Sequence, residues 1–445
     1  MRPQYLACGA ALALLLVACA QPGVTSPSPF PSASSPSASA PSPAPPAVSE
    51  PIAAEARTDR HWYTLPDGLF QSAVTVRVTF AADPARTLPA VTLGGGGERF
   101  PLARVSEREW GVSVPLSGVA PGERTVEVLE RVASGRGAAD IAVARASFVV
   151  SQPEYAVWTL DFEGDAAGDA EMANTAAIAD GLQVPMVVMW NPRAWTVTLA
   201  PPVSAERVEA MRRWTLDRAS KGDEVALHLH MWTDFVRAAG VAPRTAPAWA
   251  GRSDGYDVPM TAYGEDEQRT LIEFGTRLMA ERGLPRPTSF RGGGNFGNAA
   301  MLRAAAASGF SADCTAVPAG TFGRLPWPWT LPNDAQPYRP APQDANATGD
   351  LPLLEAPTIG GNTYGHTRAS IQAFVRADLA MLAPAGRVAA ARRAITIVSH
   401  PGTIDATERA AIETLLHSFD PLRFDHDRGP LRFVTLRQLA AAYAP

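Results

Sequence analysis

The chain has 445 residues, a formal net charge of −5 and 46% hydrophobic residues, enough for about three domains with buried cores. An acidic balance of this kind excludes nucleic acid as a partner, because phosphate binding needs a strongly cationic surface. The cysteines, Cys8, Cys19 and Cys314, do not make a disulfide framework, so the fold must be held by its core.

The first residues read as an export signal. Arg2 supplies a positive start, and Leu6 to Ala18 form an apolar run too short for the roughly 20 residues of a membrane-spanning helix. Leu16-Val17-Ala18-Cys19 closes the run and resembles the lipobox of bacterial lipoproteins. That resemblance implies that residues 1–19 are a signal peptide, cleaved before Cys19, whose thiol takes the lipid. A plain secretory signal with an incidental cysteine is the alternative; either way the mature protein is exported. Residues 20–55 form a Pro/Ser/Ala-rich tether, without a charged residue from Gln21 to Ser49. Such a segment cannot bury enough apolar surface to offset its ordering entropy.

From residue 56 to 152 the apolar residues recur with period two. Val74, Val76 and Val78 alternate with polar neighbours, as do Trp110, Val112 and Val114, then Val126 and Val128, with Ile141, Val143 and Phe148 to Val150 closing the set. Asp83-Pro84, Gly94 to Gly97 and Pro121-Gly122 punctuate them as turns. Short strands at this spacing predict a small all-β, immunoglobulin-like sandwich. It carries no chemical constellation, which favours a spacer over a carbohydrate-binding module.

Residues 153–445 have an α/β texture. Ala156 to Leu160 and Pro185 to Trp190 are strand candidates, the second apolar throughout, as in strands covered on both faces. Ser204 can cap a helix bearing Val208, Met211 and Thr215. Glu224 to Trp232 reads as a buried strand ending in the two histidines of His228-Leu229-His230, whose alternate side chains share one face. Glu265 to Arg282 is a helix stopped by Gly283, and Asn298 to Ser308 another, stopped by Gly309. Ala394 to Ser399 is a strand ending at His400, and Asp405 to Ser418 a helix. Phe433-Val434 and Leu436 to Tyr443 make a last strand and helix. Alternating strands and helices imply a parallel sheet, and this many units in one domain suits a barrel, whose chemistry sits at the strand C-terminal ends.

Two imidazoles on one side of a strand can grip a divalent metal if a carboxylate joins them, and Asp161-Phe162-Glu163-Gly164-Asp165 offers three acids upstream. In order, Thr159-Leu160-Asp161-Phe162-Glu163, His228-Leu229-His230, Ser289-Phe290-Arg291-Gly292-Gly293-Gly294-Asn295 and Ser399-His400-Pro401-Gly402 all fall at predicted strand ends. With Gly309 to Cys314 after the glycine motif, this set resembles a divergent branch of the polysaccharide deacetylase (NodB-homology) family. The resemblance runs from about Glu154 to the C-terminus. It implies an α/β fold, a distorted (β/α) barrel of the polysaccharide deacetylase type following the sandwich. It also implies a hydrolase acting on C–N bonds other than peptide bonds, which removes N-acetyl groups from a polysaccharide with a divalent metal, zinc first. By that resemblance Asp161 is the general base, Glu163, His228 and His230 the metal ligands, Arg291 the partner of the base and His400 the general acid. Gly293, Gly294 and Asn295 lie where the family contacts the substrate oxyanion.

The chain departs from the pattern in places. The family commonly has an aspartate pair where Asp161 and Glu163 stand, and histidines four apart, where here Trp232 follows His228 at that spacing. Gly293 and Gly294 replace its proline and tyrosine. Asp165 is a rival third ligand, and Asp313 either supports the acid–base pair or ends a turn. Trp327 and Trp329 either stack on sugars or pack a loop, whereas His61, His366, His417 and His426 read as solvated. Two further readings stand beside the deacetylase: a surface glycan-binding lipoprotein with a degenerate barrel, and a carbohydrate O-acetyl esterase. The expected partners are an N-acetylated polysaccharide and a membrane through the lipid anchor only, with no protein partner.

Overall fold

Val74, Val76 and Val78 are fully buried and the residues between them are not, so the alternation in the chain is the inward face of a strand. The structure is a computed structural model that describes residues 50–94, 96–134, 137–321 and 329–444. The signal peptide, Cys19, most of the tether and Trp327 lie outside the described residues.

The N-terminal strands are β1 (Ala54–Thr58), β2 (Trp62–Thr64), β3 (Ala73–Phe80), β4 (Ala90–Leu93), β5 (Arg99–Pro101), β6 (Ala103–Arg104), β7 (Glu109–Pro115), β8 (Gly122–Ser134) and β9 (Gly137–Ser151). They form two sheets, ordered β1-β3-β7-β6 and β2-β9-β8-β4-β5. Val76, Val78 and Trp110 of the first sheet share one core with Val91, Val128 and Phe148 of the second. Ile141, Val143 and Phe148 to Val150 belong to a single strand, β9, in a long hairpin with β8. Its early residues are exposed, so Ile141 stays outside the core.

The second half is built on parallel strands: β10 (Glu154–Asp161), β11 (Met186–Trp190), β12 (Glu224–Leu229), β13 (Ser289–Gly292), β14 (Ala312–Asp313), β17 (Leu354–Glu355), β18 (Arg393–Ser399) and β19 (Leu431–Phe433), with a small hairpin of β15 (Pro340–Ala341) and β16 (Asp344–Thr348) between them. The order is β17-β14-β13-β12-β11-β10-β18, and β19 adds to β10. The chain after β17 then runs along β18, with Gly360 N donating to Thr396 O at 2.9 Å and Thr363 N to Val398 O at 3.0 Å. One segment thus pairs with β14 at its start and with β18 at its end, which curls the sheet into the distorted barrel that the alternation predicts.

Strand alternation decides what faces where. Tyr155, Val157, Val187, Met189, Ala226 and Cys314 fill the barrel interior, closed below by Leu436 and Leu439 of the last helix. Trp158 and Leu160 face the other way with Ile178, Ile395 and Ile412, and Leu227 and Leu229 with Leu271 and Ile272. The covering helices are α1 (Asp169–Leu182), α2 (Ala205–Ser220), α3 (Thr233–Ala238), α4 (Glu265–Glu281), α5 (Ala299–Ala307), α6 (Gln372–Met381), α7 (Ala406–His417) and α8 (Leu436–Ala442). Ser204, Asn298 and Asp405 each accept a backbone N–H at a helix start, as capping requires.

The sandwich packs at the end of the barrel opposite the strand C-termini. The Tyr155 hydroxyl donates to Asp67, the Asp427 carboxylate accepts the N–H groups of His61 and Trp62, and Leu69 and Phe70 lie against the barrel's lower core. It contributes no residue to the cavity described below.

One buried acid makes stability pH-dependent. Asp378 on α6 is almost fully buried, and burial alone pushes its carboxyl from 3.8 up to about 8. At neutral pH the folded chain therefore holds a proton that the unfolded chain has already released, and stability rises as pH falls from about 8 toward about 4. Asp378→Asn is expected to stabilise the protein by roughly 2 kcal/mol at pH 7.5. The gain should shrink toward pH 5, as read by denaturant unfolding at the two pH values; an equal effect at both would remove the account.

Candidate metal and acid–base site

β10 ends at Asp161, and the chain turns at Gly164, whose φ is +88 and where a Cβ would come within 3.0 Å of Asn191 and Arg193. Two donors pin the backbone carbonyl of Glu163, the Asn191 amide at 3.1 Å and the Trp232 indole N–H at 2.8 Å. Trp232, which stands where the resembling family has a histidine, is therefore a brace for the neighbouring acid. It in turn is backed by Arg193, 4.0 Å over its ring and paired with the buried Asp234 at 3.1 Å.

His228 and His230 leave β12 on one face, ring centroids 5.0 Å apart. Each Nδ1 faces a backbone carbonyl, Arg291 O at 3.1 Å for His228 and Tyr256 O at 2.9 Å for His230. A carbonyl only accepts, so each Nδ1 carries hydrogen and, in the neutral ring, each Nε2 presents its lone pair to the cluster. His230 Nε2 lies 2.7 Å and His228 Nε2 3.8 Å from Glu163 Oε2. His228 Nε2 is buried with no hydrogen-bond partner. An orphaned buried lone pair beside a carboxylate fits a cation ligand site. Ligand atoms of Glu163, His228 and His230 lie within 4.8 Å of one another, as do those of Asp161, Glu163 and His400. Asp165 belongs to neither trio and lines the cavity wall; burial first, then the charge of Glu163, raises its carboxyl.

Burial opposes the charge of Glu163, but the facing His230 outweighs it and holds that carboxyl well below its usual range. Burial likewise opposes protonation of His230 and of His400, and Glu163 reverses it, raising both. His400, just past β18, places Nε2 at 3.1 Å from Glu163 Oε1.

Arg291 is almost fully buried on β13. It donates to Asp161 Oδ1 at 2.8 Å, Thr159 Oγ1 at 2.7 Å, Thr358 Oγ1 at 2.9 Å and Cys314 O at 3.1 Å. The guanidinium is thereby fixed and Asp161 with it, Oδ2 left facing His228 Nε2 at 4.0 Å. Asp313 is opposite Glu355 on β17. Burial, then the charge of Asp313, pushes the Glu355 carboxyl well above its usual range, so this pair holds a proton. Asp313 adds to the field on Arg291.

Gly293 is where it is because of His230: a Cβ there would sit 2.5 Å from the imidazole. Gly294 and Asn295 take positive φ, 61 and 60, and line the cavity. Trp329 is buried and donates to Asn295 O at 2.7 Å, so it packs this loop and is not free to stack on a sugar. His61, His366, His417 and His426 do not line the cavity.

The site opens into a cavity of about 450 Å³ walled by Asp161, Glu163, His230 and His400 and by the rings of Trp249, Tyr256 and Tyr364. That is room for a sugar-sized ligand. Tyr256, Thr358 and Tyr364 come from segments that no sequence motif marks. Thr358 and Tyr364 sit beyond a two-residue strand, and Tyr256 in a loop without periodicity.

No protein-family model and no curated protein matches the chain. Among solved structures it is similar to a protein from Mycobacterium smegmatis described as a polysaccharide deacetylase, at 14% identity and TM-score 0.42 over 65% of this chain and 90% of that one. It is similar to a family 4 carbohydrate esterase from Streptomyces lividans at 12% identity and TM-score 0.31, over 61% of this chain and 89% of the other. A peptidoglycan deacetylase from Bacillus subtilis is similar at 13% identity and TM-score 0.31, over 64% and 90%.

Proposed function

We propose that the protein is a metal-dependent hydrolase that removes N-acetyl groups from an extracellular or cell-wall polysaccharide. One observation carries this: two imidazoles and a carboxylate converge at the barrel rim, beside an aspartate locked to a buried arginine and a histidine open to the same cavity. Glu163, His228 and His230 would hold a divalent ion, zinc first by the mix of nitrogen and oxygen donors. When bound, such an ion polarises the acetyl carbonyl and lowers the pKa of water toward ~7. Asp161 takes a proton from the attacking water on Oδ2, since Oδ1 is held by Arg291. His400 delivers a proton through Nε2 to the leaving nitrogen. Gly294 and Asn295 bring backbone to the wall where the carbonyl oxygen would develop charge. The aromatic rings of the wall help to exclude water.

The lipobox resemblance supports anchoring by a lipid on Cys19 outside the cytoplasm; among the described residues no helix is long and apolar enough to cross a membrane. Residues 56–152 then act as a spacer below the barrel.

Acetate release from chitooligosaccharides, peptidoglycan and exopolysaccharide, with and without a chelator, tests the reading. The expected result is release that a chelator abolishes and a divalent metal restores. Chelator-insensitive release would remove the metal from the reaction. Glycan binding without turnover would leave a binding protein, and release from O-acetylated sugars alone would make it an esterase. A Cys19→Ser protein should move from the membrane to the soluble fraction; retention in the membrane would exclude the lipid.

A further inference from the structure

Tyr256 lies in the loop between α3 and α4 and belongs to none of the motifs, yet it touches two of the three candidate ligands. Its hydroxyl donates to Glu163 Oε2 at 3.0 Å. Its carbonyl oxygen accepts from His230 Nδ1 at 2.9 Å. Its ring stacks on the same imidazole, centroids 4.0 Å and planes 9° apart. The carbonyl selects the tautomer whose Nε2 lone pair faces Glu163, the stack sets the plane of the ring, and the hydroxyl occupies one lone pair of the carboxylate and limits its rotation.

The loop carrying Tyr256 is itself held. The carboxylate of buried Asp257 accepts the N–H groups of Ala250 and Arg252, both at 2.9 Å. The Arg252 guanidinium lies 4.4 Å over the Tyr256 ring, and Tyr256 N donates to Asp254 at 3.1 Å. Gly255, at φ +82, passes so close to the end of β12 that a Cβ would meet Met231 O at 2.6 Å. The loop is therefore a rigid arm pressed against the ligand strand.

We propose that Tyr256 is a positioning residue that presets Glu163 and His230 for a divalent cation, so that metal affinity depends on a phenol that does not itself need to ligate. This rests on the metal-site reading of Glu163, His228 and His230. Partners of this kind typically change metal affinity 10–100-fold. Tyr256→Phe keeps the ring and the backbone carbonyl and removes only the hydroxyl; Tyr256→Leu removes the stack as well.

The test is calorimetric titration of the metal-free full-length chain with zinc chloride, with thermal melting before and after saturation. Tyr256→Phe is expected to bind zinc roughly tenfold more weakly, with the metal-free melting temperature unchanged and the zinc-induced rise reduced. Tyr256→Leu should lose more. A residue that merely packs the loop would lower both melting temperatures together and leave the zinc-induced rise intact, and that result overturns the proposal. So does wild-type zinc affinity in Tyr256→Phe when the unmodified chain binds zinc, which leaves the metal site standing. Absence of zinc uptake by the unmodified chain overturns both.

Discussion

Asp161→Asn is expected to lower kcat/KM for acetate release by roughly 10²–10⁴-fold, the usual loss when a general base is removed. The substitution keeps the shape of the side chain, and an amide oxygen can still accept from Arg291 Nη1, which now donates to Oδ1 at 2.8 Å. Thr159 and Thr358 continue to hold the guanidinium. The cluster of Glu163, His228 and His230 does not include Asp161, so zinc uptake should survive. The two readouts must therefore separate: calorimetry shows metal bound as in the unmodified chain, while single-turnover acetate release collapses. Turnover close to that of the unmodified chain would exclude Asp161 as the base. Parallel loss of zinc would instead make it a ligand.

Arg291→Leu should destabilise the barrel by about 3–5 kcal/mol, because it leaves a buried carboxylate without its partner. Arg291 and Asp161 are almost fully excluded from solvent, and the guanidinium also satisfies Thr159, Thr358 and the carbonyl of Cys314. Removing it takes one hydrogen bond from each of these groups, but Thr159 still donates to Ile397 O and Thr358 to Cys314 O, so the cost falls mainly on the carboxylate of Asp161. Adding Asp161→Asn to Arg291→Leu should recover part of the loss, since the unpaired charge is then gone, and the double-mutant cycle measures that coupling. Denaturant unfolding of the two single variants and the double variant provides the numbers. A loss below about 1 kcal/mol for Arg291→Leu would show the pair to be dispensable for the fold.

These expectations depend on contacts that differ in how far the chain itself announces them. His228 and His230 are legible because a strand alternates its faces every residue, whatever surrounds it. Ser204 and Asn298 are legible as helix starts for the same local reason, a side-chain oxygen meeting an N–H three residues on. α1 is less so: it carries Gly181, starts at a glycine without a side-chain cap, and its alanines blur the apolar face. β14 and β17 are two residues each, too short for any period, yet they complete the sheet and bring Thr358 to Arg291. Trp232 and Gly293 look in the chain like departures from a pattern. In space one braces Glu163 and the other makes room for His230.

By itself the sequence determined the strand faces, the helix starts and the order of chemistry-bearing residues, since these follow from dihedral preferences and hydrogen bonds within a few residues. Which carboxylate meets which imidazole was decided only by closure of the sheet. Arg291 and Asp161 are 130 residues apart in the chain and 2.8 Å apart in space. Tyr256 reaches Glu163 from a loop with no period at all. Such meetings depend on how β10, β12 and β13 register side by side, and that register is set by burial over the whole barrel, not by any one segment.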